Sequence, residues 1–298
     1  MGLNWARWKA MAQVVEASGY AGLYRSDHFT NPSPPDQDSL ELWTSLTWLA
    51  SHTKRIEFGP LVAPFTFRHP SNVARMASAV DELSNGRLQL GLGAGWQERE
   101  HHNYGFDLGS VSERLQRFEE GLEVVSRLFN EEEANFNGDF FQIEEALLRP
   151  KSRNGTGPRI VIGGNGMQRT LNLAARFADE WNGVFLPVKE FNKRNLRLDE
   201  LLKKEGRDST KFRRSLMMGC MYAKNEKLAN KMAATRGANS AKQLRDEGFA
   251  AGSAPCLIEH LKTYEEAGCQ RVMLQWLRLD DLEGVQEMGE MLNKEFQG

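Results

Sequence analysis

The chain has little cysteine, no excess of either charge and no long apolar run. Its three cysteines are too few and too scattered for a disulfide framework or a zinc site. No segment is apolar over the length that a bilayer requires, and the first residues lack the pattern of a secretion signal. The net charge of −2 offers no electrostatic case for binding nucleic acid or an anionic membrane. These features predict a cytoplasmic protein of the size of an enzyme.

Strands alternate with helices along most of the chain. With 298 residues, of which 40% are hydrophobic and 26% charged, it has the size and composition of one α/β barrel. The alternation indicates βα units and a parallel sheet. We therefore predict a single TIM-type (β/α)8 barrel domain over residues 1–298. Seven strands are visible, at 21–29, 55–63, 87–92, 158–162, 179–185, 212–223 and 270–276.

A closed barrel of this type needs eight strands, and the first is not visible. Only four residues precede the first predicted helix, which begins at Trp5. Either the first strand is missing from this chain, or the barrel has a gap between its first and last strands. Such a gap would expose strand edges, which usually associate with a partner.

Two segments interrupt the alternation. Residues 130–157 are interpreted as an insertion that contains a small hairpin turning at Asn137-Gly138. Residues 225–248 are polar and helical in pattern, and we interpret them as a possible lid over a substrate.

The stretch 87–96 is a buried strand that runs directly into a glycine turn. Leucines at 88, 90 and 92 alternate with Gln89, Gly91 and Gly93, which is the strand period of two. Glycines leave room where a flat ligand approaches the backbone, and parallel barrels place their ligand sites at such strand ends. The same pattern also fits an ordinary turn with glycines for packing.

Two further strand ends carry candidate functional residues. Asp27-His28 is the best acid–base pair, since histidine titrates near neutrality and a carboxylate beside it can hold the ring. A buried histidine bonded to backbone is the alternative. Residues 163–166, Gly-Gly-Asn-Gly, precede a helix and suit a phosphate, with Arg169 one turn further on. A structural glycine turn is the alternative there.

Metal binding is not expected. His101 and His102 are adjacent and would point apart on a helix, and no second ligand pair with zinc spacing accompanies them. The sequence also lacks a Gly-x-Ser-x-Gly nucleophile turn and a phosphate-loop lysine motif.

Five motifs occur together and in one order. In this combination the chain resembles the bacterial luciferase-like oxidoreductases from about Trp5 to Trp276. The motifs are Ser26-Asp27-His28-Phe29, Gly59-Pro60-Leu61-Val62, Gly91-Leu92-Gly93-Ala94-Gly95-Trp96, Ile162-Gly163-Gly164-Asn165-Gly166 and Ala178-Asp179-Glu180-Trp181-Asn182.

The resemblance implies a TIM barrel with an inserted segment. It also implies that FMN or the 8-hydroxy-5-deazaflavin coenzyme (coenzyme F-420) binds across the C-terminal mouth. His28 would act as proton donor or acceptor beside the ring, with Asp27 orienting it. The other implied contacts are Leu61, Val62 and Ala63 behind the ring, Gly93, Ala94, Gly95 and Trp96 along the ribityl chain, and Gly163, Gly164, Asn165, Gly166 and Arg169 at the phosphate.

The motif pattern is most similar to the deazaflavin-dependent branch of this family. Sugar-phosphate dehydrogenases of that branch have Gly-Thr-Gly-Glu where this sequence has Gly93–Trp96, so that substrate class is not expected. We predict hydride transfer to or from a small organic substrate, by a protein that the resemblance suggests is a homodimer. An FMN-dependent monooxygenase fed by a separate reductase is one alternative. The other is a non-catalytic barrel that binds a flavin or a partner.

Overall fold

Helices alternate with mainly parallel strands in the structure, a computed structural model that describes residues 2–152 and 155–296. The strands are β1 (Gly22–Arg25), β2 (Glu57–Pro60), β3 (Ala63–Pro64), β4 (Gln89–Gly93), β5 (Ala134–Asn137), β6 (Gln142–Ala146), β7 (Arg159–Gly163), β8 (Glu180–Val184), β9 (Arg213–Tyr222), β10 (Ala250–Gly252) and β11 (Arg271–Gln275). The helices are α1 (Trp5–Ala17), α2 (Leu42–His52), α3 (Pro70–Leu83), α4 (Glu98–Tyr104), α5 (Val111–Asn130), α6 (Arg169–Phe177), α7 (Val188–Lys204), α8 (Glu226–Ala234), α9 (Ala241–Asp246), α10 (Ala254–Glu266) and α11 (Leu282–Phe296).

The chain divides into two compact units. Within the described ranges, the first comprises residues 2–8 and 21–163, and the second comprises Lys9–Tyr20 and residues 164–296. In the first unit β1 pairs in parallel with β2, and β4 pairs in parallel with both β3 and β7. In the second unit β9 pairs in parallel with β8, β10 and β11.

Every residue of β4 is buried, so the strand period shows in residue type rather than in burial. Leu88, which precedes β4, lies with Leu90 and Leu92 on one side, while Gln89, Gly91 and Gly93 occupy the other. A Cβ on Gly91 or Gly93 would meet the side chain of Val62, so the glycine side of β4 faces the end of its neighbouring strand. The predicted strand is therefore confirmed, and its glycine face is the one that borders the candidate site.

Side chains in the second unit form successive polar layers between its parallel strands. Glu180 of β8 lies 3.3 Å from the guanidinium of Arg213 on β9 and 3.6 Å from that of Arg271 on β11. One layer further along, Asn182 donates to the Ser215 hydroxyl over 2.9 Å. Inward side chains of parallel barrel strands stack in such layers.

All of the predicted strands are present, but two of them are shorter than predicted at their C-terminal ends. β1 stops at Arg25, so residues 26–29 lie in a loop rather than in the strand. The predicted strand 55–63 is interrupted at Leu61-Val62, where the peptide bond is cis, and resumes as β3. The three-residue strand β10 was not predicted, because Ala-Ala-Gly carries no strand pattern. Before α1, Leu3 forms an isolated parallel bridge with Ser39.

Both interrupting segments have defined structure. The hairpin of the first is observed as β5 and β6, although its loop spans 138–141 rather than turning at Asn137-Gly138. Residues 153 and 154 of the predicted insertion lie outside the described residues. The segment 225–248 forms α8 and α9, whose apolar sides share a small cluster that includes Ala229, Ala233 and Leu244. Across the described residues, no helix is long and apolar enough to cross a membrane.

Candidate active site

The loop after β1 carries two acid–base candidates in different environments. Asp27 is buried, whereas the His28 side chain is about one-fifth exposed. The Ser39 hydroxyl donates to the backbone carbonyl of His28 and so fixes the loop next to the ring. The loop therefore leaves the His28 imidazole partly accessible to solvent and buries the Asp27 carboxylate.

Asp27 pairs with Arg68 and not with His28. The Arg68 guanidinium donates to both Asp27 oxygens and also donates to Glu41 over 2.9 Å. Burial raises the pKa of the Asp27 carboxyl, an effect that the neighbouring Arg68 charge opposes. Burial alone would lower the pKa of Arg68, but the two carboxylates outweigh it and raise that pKa. No hydrogen bond joins Asp27 to His28 among the described residues, so the orienting contact predicted from the sequence is not observed.

The carboxylate that contacts His28 belongs to Glu100 on α4. His28 Nδ1 lies 2.8 Å from Glu100 Oε1, and the backbone N–H of Phe29 donates to Oε2 over 2.9 Å. Glu100 is almost completely buried, with 1% of its surface exposed. Sequence reasoning missed this residue because it stood in a run of charged side chains. The feature of the sequence that could have identified Glu100 is its position about one helical turn after Trp96.

Trp96 borders the other side of the imidazole. Its ring lies edge-on to His28 with centroids 5.6 Å apart and planes at 85°, and 59% of the residue is exposed. A tryptophan this exposed beside a candidate acid–base histidine offers an apolar surface to a ligand. Ala94, Gly95 and Trp96 lie between β4 and α4, and Gly95 has a φ of +82°, which favours glycine.

Three glycines surround the Val62 side chain. A Cβ on Gly93 would lie 2.5 Å from Val62 Cγ2, and one on Gly163 would lie 2.9 Å from Cγ1. A Cβ on Gly91 would lie 3.3 Å from Cγ1 and only 2.1 Å from the Pro60 carbonyl oxygen. No larger residue fits at these positions without displacing Val62 or the backbone. The structure thus brings Leu61, Val62 and Ala63 together with Gly93 and Gly163.

The second unit contains the remaining predicted residues, Gly164–Gly166 and Arg169. The Asn165 side chain is bonded to the backbone of Val184 in both directions, at 2.8 and 2.9 Å, so it shapes the turn. Helix α6 begins at Arg169 without a side-chain cap, and the N–H of Leu171 donates to the Gly166 carbonyl over 3.1 Å. The N–H groups of the first two helical residues, which no side chain caps, point to where an anion could bind. Arg169 is exposed, and no hydrogen bond or ion pair to it is found in the described ranges.

Of the adjacent histidines of α4, His102 is exposed and His101 has a structural environment. His101 is buried, with Nε2 2.8 Å from the Thr66 hydroxyl and Nδ1 2.8 Å from the Gln97 carbonyl oxygen. It also stacks on Phe67. In residues 2–152 and 155–296 no group of three or more candidate ligands is placed to hold a metal ion.

The arrangement around His28 suits proton transfer. One ring nitrogen is engaged by a buried carboxylate, while no hydrogen bond to Nε2 occurs among the described residues. A histidine held in this way can exchange a proton at its free nitrogen with a bound molecule.

The sequence of this chain matches a protein-family model and several known proteins. The family model described as luciferase-like monooxygenase matches residues 2–275. The pyrimidine monooxygenase RutA of Allorhizobium ampelinum is 28% identical over 57% of this chain and 47% of its own length. The F420-dependent hydroxymycolic acid dehydrogenase of Mycobacterium tuberculosis is 30% identical over 59% of this chain and 48% of its own length. The matches thus span about half the length of these relatives.

Solved structures share the fold over nearly the whole chain. An F420-dependent secondary alcohol dehydrogenase, in complex with an F420-acetone adduct, matches with a TM-score of 0.82 at 16% identity, covering 98% of this chain and 95% of that one. The oxygenating constituent of 3,6-diketocamphane monooxygenase from Pseudomonas putida, in complex with FMN, matches with a TM-score of 0.78 at 17% identity, covering 99% and 94%. At this identity the likeness shows the fold, which is the α/β fold of luciferase-like TIM-barrel enzymes. The chain belongs to the luciferase-like monooxygenase family.

Proposed function

We propose that this protein is an oxidoreductase that uses the deazaflavin coenzyme for hydride transfer to or from a small organic substrate. The observation that carries the proposal is the pairing of His28 with the buried Glu100, in a ring that lies edge-on to Trp96 and whose Nε2 has no hydrogen bond among the described residues. The relatives include an F420-dependent dehydrogenase, and the Ser-Asp-His-Phe and Gly-Ala-Gly-Trp motifs resemble that branch. When bound, the coenzyme would donate or accept the hydride, and the protein would supply binding, orientation and water exclusion.

The segment 61–63 packs closely against glycines of two neighbouring strands, with Val62 filling the space beside Gly91, Gly93 and Gly163. Leu61, Val62 and Ala63 are proposed to support one face of the ring, because this packing fixes the segment against the strand ends. Gly93–Trp96 are proposed to contact the chain that follows the ring.

The turn before α6 fits a phosphate. Gly163–Gly166 are proposed as its binding turn, with the uncapped N–H groups of α6 and the unengaged Arg169 as donors. Because Asn165 already bonds Val184, its role there is to shape the turn.

His28 is proposed to donate or accept a proton at Nε2 next to the reacting atoms. Asp27 is proposed to act indirectly, since its ion pair with Arg68 holds the loop next to His28. Trp96 stands where a sugar-phosphate dehydrogenase of the resembling branch has an acid, so we propose a small organic substrate other than a sugar phosphate. Residues 225–248 are proposed as a lid, and a homodimer as the functional form.

A second candidate is an FMN-dependent monooxygenase fed by a separate reductase. It is supported by the relative named as a pyrimidine monooxygenase and by the FMN complex of a structural neighbour. A barrel that binds a flavin without turning over a substrate is the third.

Separate fluorescence titrations with FMN and with the deazaflavin coenzyme distinguish the first two of these functions, and turnover of a substrate by the loaded protein would exclude the third. We expect tight binding of the deazaflavin and weak binding of FMN, with His28→Asn retaining binding because its role is in chemistry. The reverse preference would favour the monooxygenase. If neither binds, the oxidoreductase proposal fails.

A further inference from the structure

Glu100 uses both carboxylate oxygens on the loop that carries His28. Oε1 lies 2.8 Å from the imidazole Nδ1, and Oε2 accepts the Phe29 N–H at 2.9 Å. The residue lies in the first turn of α4 and is 1% exposed. A buried carboxylate costs free energy unless its oxygens are hydrogen-bonded, and these two partners supply those bonds.

Other side chains of α4 and its start hold the same loop independently. The Gln97 amide donates to the hydroxyl and the carbonyl of Thr30, over 2.9 and 3.2 Å. Arg99 forms two hydrogen bonds with the Asp36 carboxylate, over 2.7 and 2.8 Å, and one with the Asn31 carbonyl. The backbone of the loop therefore has several attachments besides Glu100.

We propose that Glu100 is a positioning residue that holds His28 in the Nδ1–H form and so makes Nε2 the atom that exchanges the proton. An ionised carboxylate only accepts hydrogen bonds, so the ring nitrogen facing it must carry hydrogen. In the neutral ring the lone pair is then on Nε2. The use of Nε2 in catalysis rests on the proposed function, whereas the ring form does not.

An amide in place of this carboxylate cannot satisfy both partners in the same way. Phe29 N–H and His28 Nδ1–H both donate, but glutamine has one oxygen and one NH2 group. If the oxygen of Glu100→Gln accepts from Phe29, its NH2 faces Nδ1 and favours the opposite ring form, with hydrogen on Nε2. The substitution therefore changes the ring while keeping the size of the side chain.

The test is ¹⁵N NMR of the ring nitrogens in protein labelled at its six histidines. The His28 signals are assigned by their loss in His28→Asn, and spectra are recorded for the wild type, E100Q and E98Q. Glu98 is exposed on the same helix, so E98Q removes the same charge without touching the ring. We expect Nδ1–H in the wild type and E98Q, and a shift toward Nε2–H in E100Q.

A wild-type His28 with hydrogen only on Nε2 would overturn the proposal, and this holds even if E100Q does not fold. Unchanged ring signals in a folded E100Q would overturn it as well. If the wild type binds no flavin, the proposed function fails. The ¹⁵N spectra still show which ring nitrogen of His28 carries the hydrogen. With an active substrate, E100Q should lower kcat by about 10-fold or more and leave the flavin Kd unchanged.

Discussion

Val62 occupies the space that three glycines leave open. Gly91, Gly93 and Gly163 come from two neighbouring strands, and all three hypothetical Cβ atoms would meet its methyl groups. Because the packing is close, a single added carbon on this face must move either a side chain or the backbone. An added carbon at Gly93 or Gly163 would displace the Val62 side chain, whereas one at Gly91 would displace the backbone.

Replacing Gly93 with alanine should destabilise the protein by about 1–3 kcal/mol, the usual range for overpacking. The new methyl would lie 2.5 Å from Val62 Cγ2, while Val62 Cβ would be 3.6 Å away, an ordinary contact. Adding Val62→Ala should therefore restore a large part of the lost stability. Urea unfolding of the two single variants and the double variant measures this coupling.

Gly91→Ala is the matched control for that cycle. Its methyl would meet the Pro60 carbonyl oxygen at 2.1 Å, which no change at Val62 removes. V62A should therefore not rescue it. Equal rescue of both glycine variants would contradict the assignment of the Gly93 clash to the valine methyl.

Asp81 should make stability depend on pH. Burial raises the pKa of its carboxyl from 3.8 to about 6, and the hydrogen bond from Leu88 N–H opposes the shift. Because the folded state then binds the proton more tightly, the contribution is complete below pH 4 and is lost as the pH rises through 6. A shift of about two units corresponds to roughly 3 kcal/mol at most.

Asp81→Asn keeps the shape of the side chain and removes the titration. The free energy of unfolding of the wild type, relative to this variant, should fall between pH 4 and pH 7. Chemical denaturation at several pH values measures it, and a constant difference would show that Asp81 does not titrate as described.

At the scale of elements, α5 holds the hairpin loop through one carboxylate. Glu120 accepts the backbone N–H groups of Asp139, Phe140 and Phe141, at distances of 2.8 to 3.2 Å. These bonds explain why the loop spans 138–141 although Asn137-Gly138 favours a tighter turn. The helix itself follows its sequence, since Ser110 caps it in a capping box with Glu113.

Glu120→Gln should loosen this loop without unfolding the chain. An amide oxygen and NH2 group cannot accept all three N–H groups, and each lost bond in such a site costs about 1 kcal/mol. Hydrogen exchange at residues 139–141 should become faster in E120Q. The exposed Glu133→Gln provides a charge-matched control that should leave the exchange unchanged, and equal exchange in both variants would exclude the carboxylate as the holding group.

At the scale of the whole molecule, ligand binding and stability are linked. A ligand at 100 times its Kd stabilises the folded state by about 2.7 kcal/mol, so the preferred flavin should raise Tm. Arg169→Gln should reduce this gain, because a charge-assisted contact to phosphate is worth about 1.5 kcal/mol or more. Thermal unfolding with and without deazaflavin measures the effect.

Lys193→Gln is the control for the loss of one exposed positive charge. It should leave the ligand-dependent rise in Tm unchanged. A rise that is equal in R169Q and the wild type would remove Arg169 from the proposed phosphate site.

The sequence by itself determined the features that depend on near neighbours in the chain. The period of two at residues 88–92, the helix stops and the motif order indicated the α/β fold and the family, both of which are confirmed. His28 was also predicted as a candidate from its own chemistry and its place after a strand. Strand ends were less accurate, since β1 and β2 end where loops of the candidate site begin.

Only the tertiary structure decided which groups meet. Glu100 is 72 residues from His28, and Arg68 is 41 residues from Asp27, so neither pairing has a local signal. Asp27 precedes His28 in the chain, yet an arginine from another loop engages its oxygens while a helix supplies the carboxylate for the ring. The partner of a charged side chain depends on which groups lie close to it and on how deeply they are buried in the folded state. Spacing along the sequence does not show either of these.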